Sequence, residues 1–354
     1  MMPLSWRLVY NISAMPHFAS IDVGSNTLRI LIGEFVDNRI IDIYTDRKIT
    51  RLGSMVGQTG ILQTENMEAS LQALSRFASV INRFRIKHVR ALGTSALREA
   101  QNSGIFIQRA RDAACIQIEI ISGEKEAQLT LKGILQAFSP AETGAARGRV
   151  PIIQQGDTGR SHQRSLFIMD IGGGSSEWII YQGEDRNMMG SLPSGVIKLA
   201  QTCITADPAS PHDVMLLNRE IVTVLNNFGP DTGRLDPGAT LFIGTGGTFT
   251  TVASVDLGLD SYSRQKIHLH RIPLSRLKQM QKTFLQLSLT ERKKIRGLEP
   301  GRADLIIPGV QFTMKVMELF CFRELIVSDY GLLEGALLEM KEASEKGIPE
   351  AGKS

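Results

Sequence analysis

Hydrophobic residues fall along this chain in short blocks separated by glycine and hydroxyl residues, and two of these blocks share one pattern. Phe18-Ala-Ser-Ile-Asp22 leads through Val-Gly24-Ser25-Asn26-Thr27 into Leu28-Arg-Ile-Leu-Ile-Gly-Glu-Phe35. Leu166-Phe-Ile-Met-Asp170 leads through Ile-Gly172-Gly173-Gly174-Ser175-Ser176 into Glu177-Trp-Ile-Ile-Tyr181. Each reads as a buried strand ending on Asp, a tight turn, and a second strand. A repeat of this size predicts an internal duplication at domain scale. The pattern then predicts a third strand over 39–51, a helix over 64–85, a strand over 88–93, a helix over 95–114 and a strand over 116–121. In the second half it predicts a helix over 213–227, a buried strand over 239–244 and a helix over 274–287. Mixed strand and helix order with a duplicated start predicts an α/β fold of two domains facing a central cleft.

Length supports the count, since 354 residues exceed the roughly 150 typical of one domain. The expected organisation is an N-terminal extension over 1–17, domain I over 18–125 with the helix 330–343 packing back on it, domain II over 126–329, and a tail over 344–354. Residues 139–165, rich in Gly, Ala, Pro, Gln and Arg without apolar periodicity, read as a mobile insertion in domain II. Met15 stands just before the first strand, so the preceding residues are either an upstream-start extension or a flexible tail. A hydrophobic share of 42% and a charged share of 21% describe an ordinary globular chain. No apolar run approaches the roughly 18 residues that a membrane-spanning helix needs. Three cysteines without CxxC spacing read as buried small hydrophobes in a reducing cytoplasm. A net charge of +4 suits an anionic substrate, but with 6% aromatic residues and no long basic run it does not indicate nucleic acid.

A turn of glycine and serine or threonine points backbone N–H groups outward with no Cβ to block an oxygen, which cradles phosphate. One such loop is equally a plain hairpin turn. Two of them, each preceded by Asp, would grip one phosphate chain from both sides. A third, Gly244-Thr245-Gly246-Gly247-Thr248, follows a strand and opens a helix whose free N–H groups can hold an anion. Asp170 and Glu177 form an acidic pair around the second turn, and such oxygen ligands suit Mg²⁺. The alternative for Glu177 is a solvated strand residue. Ser122-Gly-Glu-Lys-Glu126-Ala127 closes a strand and starts a helix, where glutamate is ordinarily a partner of the helix dipole. Arg98, one turn inside a helix, either reaches a phosphate bidentately or pairs with Glu99 or another acid. The histidines lack zinc-ligand spacing, and neither a Walker A lysine pattern nor a GxSxG elbow is present.

From about Phe18 to Glu342 the chain closely resembles the exopolyphosphatase and guanosine pentaphosphate phosphohydrolase (Ppx/GppA phosphatase) family. The motifs that carry the resemblance are IDVGSNTLRILI from Ile21, ALGTSALREA from Ala91, EIISGEKEA from Glu119 and MDIGGGSSEW from Met169. LPSGVIKL from Leu192, GTGGTFTT from Gly244, GLEPGRADLIIPG from Gly297 and VSDYGLLEG from Val327 follow in order. The resemblance implies two ribonuclease-H-like domains of the acetate kinase, heat-shock ATPase and actin superfamily. It implies Glu126 as the catalytic base and Arg98 as the arginine entering the cleft from the first domain. Asp170 and Glu177 would hold a divalent cation, Mg²⁺ being expected. Asp22, Gly24, Ser25, Asn26, Gly172, Gly173, Gly174 and Ser175 would line the phosphate grip, with Gly246, Gly247 and Thr248 added from the third loop.

The expected activity is release of orthophosphate from the end of inorganic polyphosphate; the runner-up is guanosine pentaphosphate hydrolysis, and a non-catalytic sensor or a kinase on the same scaffold are the other readings. The family's usual acid before the base is Lys125 here, which predicts a more positive environment at Glu126. The chain stops soon after VSDYGLLEG and reads as a short, two-domain member. A homodimer is expected by family analogy alone.

Overall fold

The computed structural model describes residues 16–138, 153–155, 161–163, 165–183, 186–228 and 235–347. Residues 1–15 of the expected extension over 1–17, most of the 139–165 insertion and the tail beyond 347 lie outside the described residues.

The first repeat forms strands β1 (Phe18–Val23), β2 (Thr27–Val36) and β3 (Arg39–Ile49), an antiparallel meander. All six residues of β1 are buried, which suits a strand in the middle of a sheet, whereas β3 at the edge buries only Ile40. Helices α1 (Val56–Thr59) and α2 (Thr64–Phe84) lead to β4 (His88–Gly93), parallel to β1. Helix α2 buries Met67, Leu71, Leu74, Phe77 and Ile81, one face at helical spacing, in the core of this lobe. Helices α3 (Ser95–Glu99) and α4 (Ser103–Ala114) precede β5 (Ile118–Ile120), and the sheet order is β3-β2-β1-β4-β5.

Helix α5 (Gly123–Phe138) crosses to the second lobe, where β6 (Ile153–Gln155) and β7 (Ser161–Gln163) pair as a short ribbon. The second repeat gives β8 (Ser165–Ile171), β9 (Ser176–Tyr181) and β10 (Asn187–Leu192). Then come α6 (Val196–Cys203), α7 (Pro211–Asn226), β11 (Thr240–Thr245), α8 (Gly246–Asp256), α9 (Arg264–Ile267) and β12 (Arg271–Pro273). Helices α10 (Leu274–Gln286), α11 (Leu289–Arg292) and α12 (Ile306–Leu319), strand β13 (Glu324–Val327) and helix α13 (Leu332–Glu345) complete the chain. The order β10-β9-β8-β11-β13-β12 repeats that of the first sheet, with β12 added at the edge. Two mixed sheets of one topology, each starting with the same hairpin, are the duplicated α/β fold the pattern predicts.

The lobes meet through two helices. Helix α5 packs Ala127, Leu131, Ile134 and Phe138 on the second sheet, while α13 packs Leu337 and Met340 against Phe18, Leu31 and Phe35 of the first.

Several expectations need correction. The helix predicted over 95–114 breaks at Ala100, whose backbone is extended, because Asn102 turns its amide to the backbone of Leu62 (Nδ2 to Leu62 O 3.0 Å, Leu62 N to Oδ1 2.8 Å). The strand predicted over 116–121 shortens to three residues. Helix α13 continues to Glu345, into the expected tail. Only Cys203 is buried; Cys115 and Cys321 are exposed thiols at helix ends, where the backbone turns left-handed (φ 53° and 57°). No helix among the described residues is long and apolar enough to cross a membrane.

Candidate active site

The two hairpins share one register. In the first, Asp22 stands opposite Arg29; in the second, Asp170 stands opposite Glu177. Directly opposed residues on one face are neighbours, so this single difference decides the charge of each loop. Asp22 is neutralised by Arg29 through Nε and Nη2 to the same carboxylate oxygen at 2.9 and 2.7 Å. Asp170 faces another acid. Burial pushes its carboxyl up to about 6, with Arg29 opposing and Asp22 adding to the rise. Burial, and then the charge of Asp170, likewise raise Glu177, which is 1% exposed; the solvated alternative therefore does not hold.

The loops face each other across one cleft. It is lined by Asp22, Gly24, Ser25 and Asn26 from the first lobe, by Asp170, Gly172, Gly173, Gly174 and Ser175 from the second, and by Glu126, Gly247 and Thr248. The approach is close enough that a Cβ on Gly174 would lie 2.4 Å from Ser95 Oγ, so a side chain there would require the first lobe's Ser95 to give way. Gly246 opens α8 with φ +81° and packs on Asp170, 2.1 Å from Oδ1 to a hypothetical Cβ; it shapes the carboxylate rather than lining the opening. Thr248 spends its hydroxyl on the Ile171 carbonyl at 2.7 Å, which binds α8 to the second loop.

Glu126 lies in the first turn of α5, buried at the edge of this cleft. Its Oε2 accepts from Arg98 Nη1 at 2.8 Å. Arg98 also donates to the Ile121 carbonyl at 2.9 Å and to Ser175 Oγ at 3.3 Å, and lies 3.9 Å from Glu177. Glu99 instead accepts from Ser95. In this structure Arg98 pairs with an acid, and that acid is Glu126 rather than the sequence neighbour Glu99. Burial raises the Glu126 carboxyl well above the usual range, Glu177 adds to the rise, and Arg98 opposes it. Lys125 does not charge this site: its Nζ turns to Glu339 of α13 at 2.5 Å, which corrects the expectation of a more positive base environment.

Sequence reasoning placed Thr27 in the first loop but missed four polar lining residues: Arg29, Thr94, Ser95 and Arg302. Arg29 was findable from its place opposite Asp22 in a duplicated hairpin. Arg302, inside GLEPGRADLIIPG, reaches from the second lobe to Thr27 Oγ1 at 2.8 Å. Burial, then Arg47, lower it to about 10, and its Nε has no hydrogen-bond partner among the described residues. Glu299 Oε2 pairs with that Nε at 3.6 Å, so this buried, cleft-lining guanidinium is partly balanced and can still meet an anion.

Among the described residues no group of three or more His, Cys, Asp or Glu is disposed to hold a metal. An Asp170 and Glu177 pair fits a cation that completes its shell from phosphate oxygens and water.

Fold and site together define a two-lobed α/β protein with a polar, glycine-walled cleft flanked by buried acids and arginines. The chain belongs to the Ppx/GppA phosphatase family, which it matches over residues 31–145 and 156–344. It is 29% identical to the bifunctional 3-dehydroquinate synthase/phosphatase of Fusobacterium nucleatum, covering 91% of this chain and 46% of that protein. It is 25% identical to exopolyphosphatase 2 of Mycobacterium tuberculosis, covering 92% of this chain and 99% of the relative. Identity to the guanosine-5'-triphosphate,3'-diphosphate pyrophosphatase of Vibrio atlanticus is 26%, over 92% of this chain and 59% of that protein. The crystal structure of the Aquifex aeolicus Ppx/GppA family member is similar with a TM-score of 0.72 at 28% identity, covering 95% of this chain and all of that one.

Proposed function

We propose that the protein is an exopolyphosphatase that hydrolyses the terminal anhydride of inorganic polyphosphate and releases orthophosphate. The observation that carries this reading is the Glu126 carboxylate, buried and oriented by Arg98, at the edge of a cleft walled by two facing glycine loops. A pure phosphate binder has no use for a raised carboxylate there. Glu126 takes a proton from water as the oxygen attacks phosphorus in line, and the bond to the bridging oxygen breaks toward the remaining chain. Backbone N–H groups of both loops, with Arg302 and Arg29, orient the phosphates and offset their charge. Asp170 and Glu177 are the residues that would hold a divalent cation, Mg²⁺ by the chemistry of the donors; bound there, it supplies neutralisation of phosphoryl oxygens. The full-length similarity to a protein named exopolyphosphatase supports this choice.

A second reading, hydrolysis of guanosine pentaphosphate, is favoured by one observation. A chamber of about 340 Å³ adjoins the cleft at Asn26, walled by Ile197, Ala200, Ile204, Leu289 and Leu305. Its Arg51 and Arg292 are balanced by Asp304 and Asp207, so it suits an uncharged ring better than more phosphate.

The test is orthophosphate release by wild type and Glu126→Gln, with Mg²⁺, from long-chain polyphosphate and from guanosine pentaphosphate. Release from polyphosphate that falls at least about 100-fold in Glu126→Gln is expected. Faster release from the nucleotide would move the assignment to the second reading; no release from either, with binding intact, would make the protein a sensor.

A further inference from the structure

One turn of the second lobe is tied to the first lobe beside the cleft. It is the 3₁₀ turn Pro300–Arg302, whose flanking Leu298, Ala303 and Leu305 are buried in the second lobe's core. Besides the Arg302 bond to Thr27, Glu299 pairs with Arg47 at 3.2 Å. Arg51 donates Nη1 to Asp304 Oδ2 at 2.7 Å and Nη2 to Asp304 Oδ1 at 2.8 Å, and Nη2 also reaches the Gly301 carbonyl at 2.9 Å. The turn sits so near β3 that a Cβ on Gly301 would lie 2.8 Å from Ile49 Cδ1.

Arg51 is itself held in an unusual conformation. Its φ is 55°, left-handed for a residue with a Cβ, a conformation held against its steric cost by the surrounding bonds. Its N–H donates to the Asn26 carbonyl at 3.0 Å, alongside that of Thr50 at 3.1 Å, so its backbone fixes the first glycine loop while its side chain fixes the turn carrying Arg302.

We propose that Arg51, with Asp304 as its counterpart, is a positioning residue that clasps the two lobes and sets Arg302 against the Asn26 loop. The planar fork of the guanidinium matches the carboxylate only in one relative placement of the lobes, so the pair is lost when they separate. Both halves of the cradle exist together only in the closed arrangement. A weakened clasp therefore acts on binding, because substrate must then supply the closing free energy itself.

Lobe separation can be read on the full chain through spin labels at the exposed Cys115 in the first lobe and Cys321 in the second, Cys203 being buried. Without ligand, Arg51→Ala and Asp304→Ala should each lengthen and broaden the distance distribution. The reversed pair Arg51→Asp with Asp304→Arg should narrow it again, and Arg51→Lys, which keeps charge without the fork, should fall between. In step, the Kd for inorganic tripolyphosphate should rise about tenfold in Arg51→Ala and recover in the reversed pair. The kinetic arm rests on the hydrolase reading: KM should rise about tenfold with kcat within about twofold. Wild-type distances and Kd in Arg51→Ala, or kcat falling at constant KM, would overturn the clasp. Expected distances with no hydrolysis in any form would overturn the hydrolase reading and leave the clasp standing.

Discussion

Asp22 and Arg29 show how one cross-strand position sets the character of a loop. Asp22 is buried, its Oδ1 has no partner among the described residues, and its Oδ2 depends on Arg29. Arg29→Ala leaves a carboxylate in the wall with nothing opposite it. Breaking a fully buried pair costs about 3–5 kcal/mol; since the Arg29 side chain is 32% exposed, about 2 kcal/mol is expected here. Denaturant unfolding should show a lower midpoint at unchanged slope, and an unchanged midpoint would mean that the pair contributes nothing. The same position in the second hairpin holds Glu177, so substitution there removes a repulsion instead.

Among the elements, α7 has the most explicit start signal. Ser210 Oγ accepts from the Asp213 N–H at 3.1 Å, and Asp213 Oδ2 accepts from the Ser210 N–H at 2.9 Å. Asp213 Oδ1 also takes the Thr205 hydroxyl at 2.8 Å. Burial pushes this carboxyl up, but the hydrogen bonds from Ser210 and Thr205 outweigh it and hold it well below the usual range. A carboxyl depressed on folding contributes stability that is present above its unfolded value, about 3.9, and lost as pH falls below it. Asp213→Asn should therefore cost about 1–2 kcal/mol at pH 7, and the gap to wild type should close between roughly pH 4 and 2. A gap independent of pH would show that the charge is irrelevant to the cap.

For the whole molecule, the cleft is built from both lobes, so a bound polyanion should stabilise both. Tripolyphosphate at 100 times its Kd should raise the unfolding free energy of Glu126→Gln by about 2.7 kcal/mol. Both lobes should shift together in calorimetry. A shift confined to one transition would place the anion on one lobe only. Added salt should weaken the effect, since a net charge of +4 attracts the ligand through a field that ions screen.

Local pattern was enough for much of this. The duplicated hairpins, the Asp one residue before the end of each first strand and the third glycine loop are set by neighbours in sequence, because strand, turn and helix start are short-range matters. The break after α3 was not legible: it depends on Asn102 finding the backbone of Leu62, 40 residues away. The same holds for the cleft's charge balance. Arg302 meets Thr27 across 275 residues, Arg51 meets Asp304 across 253, and Lys125 is drawn from Glu126 to Glu339 across 214. Two α/β repeats and their glycine loops were legible in the chain alone, because apolar periodicity and turn chemistry act locally. Which cation meets which acid emerged with folding, because Coulomb and hydrogen-bond partners are chosen by distance in space after the lobes have closed.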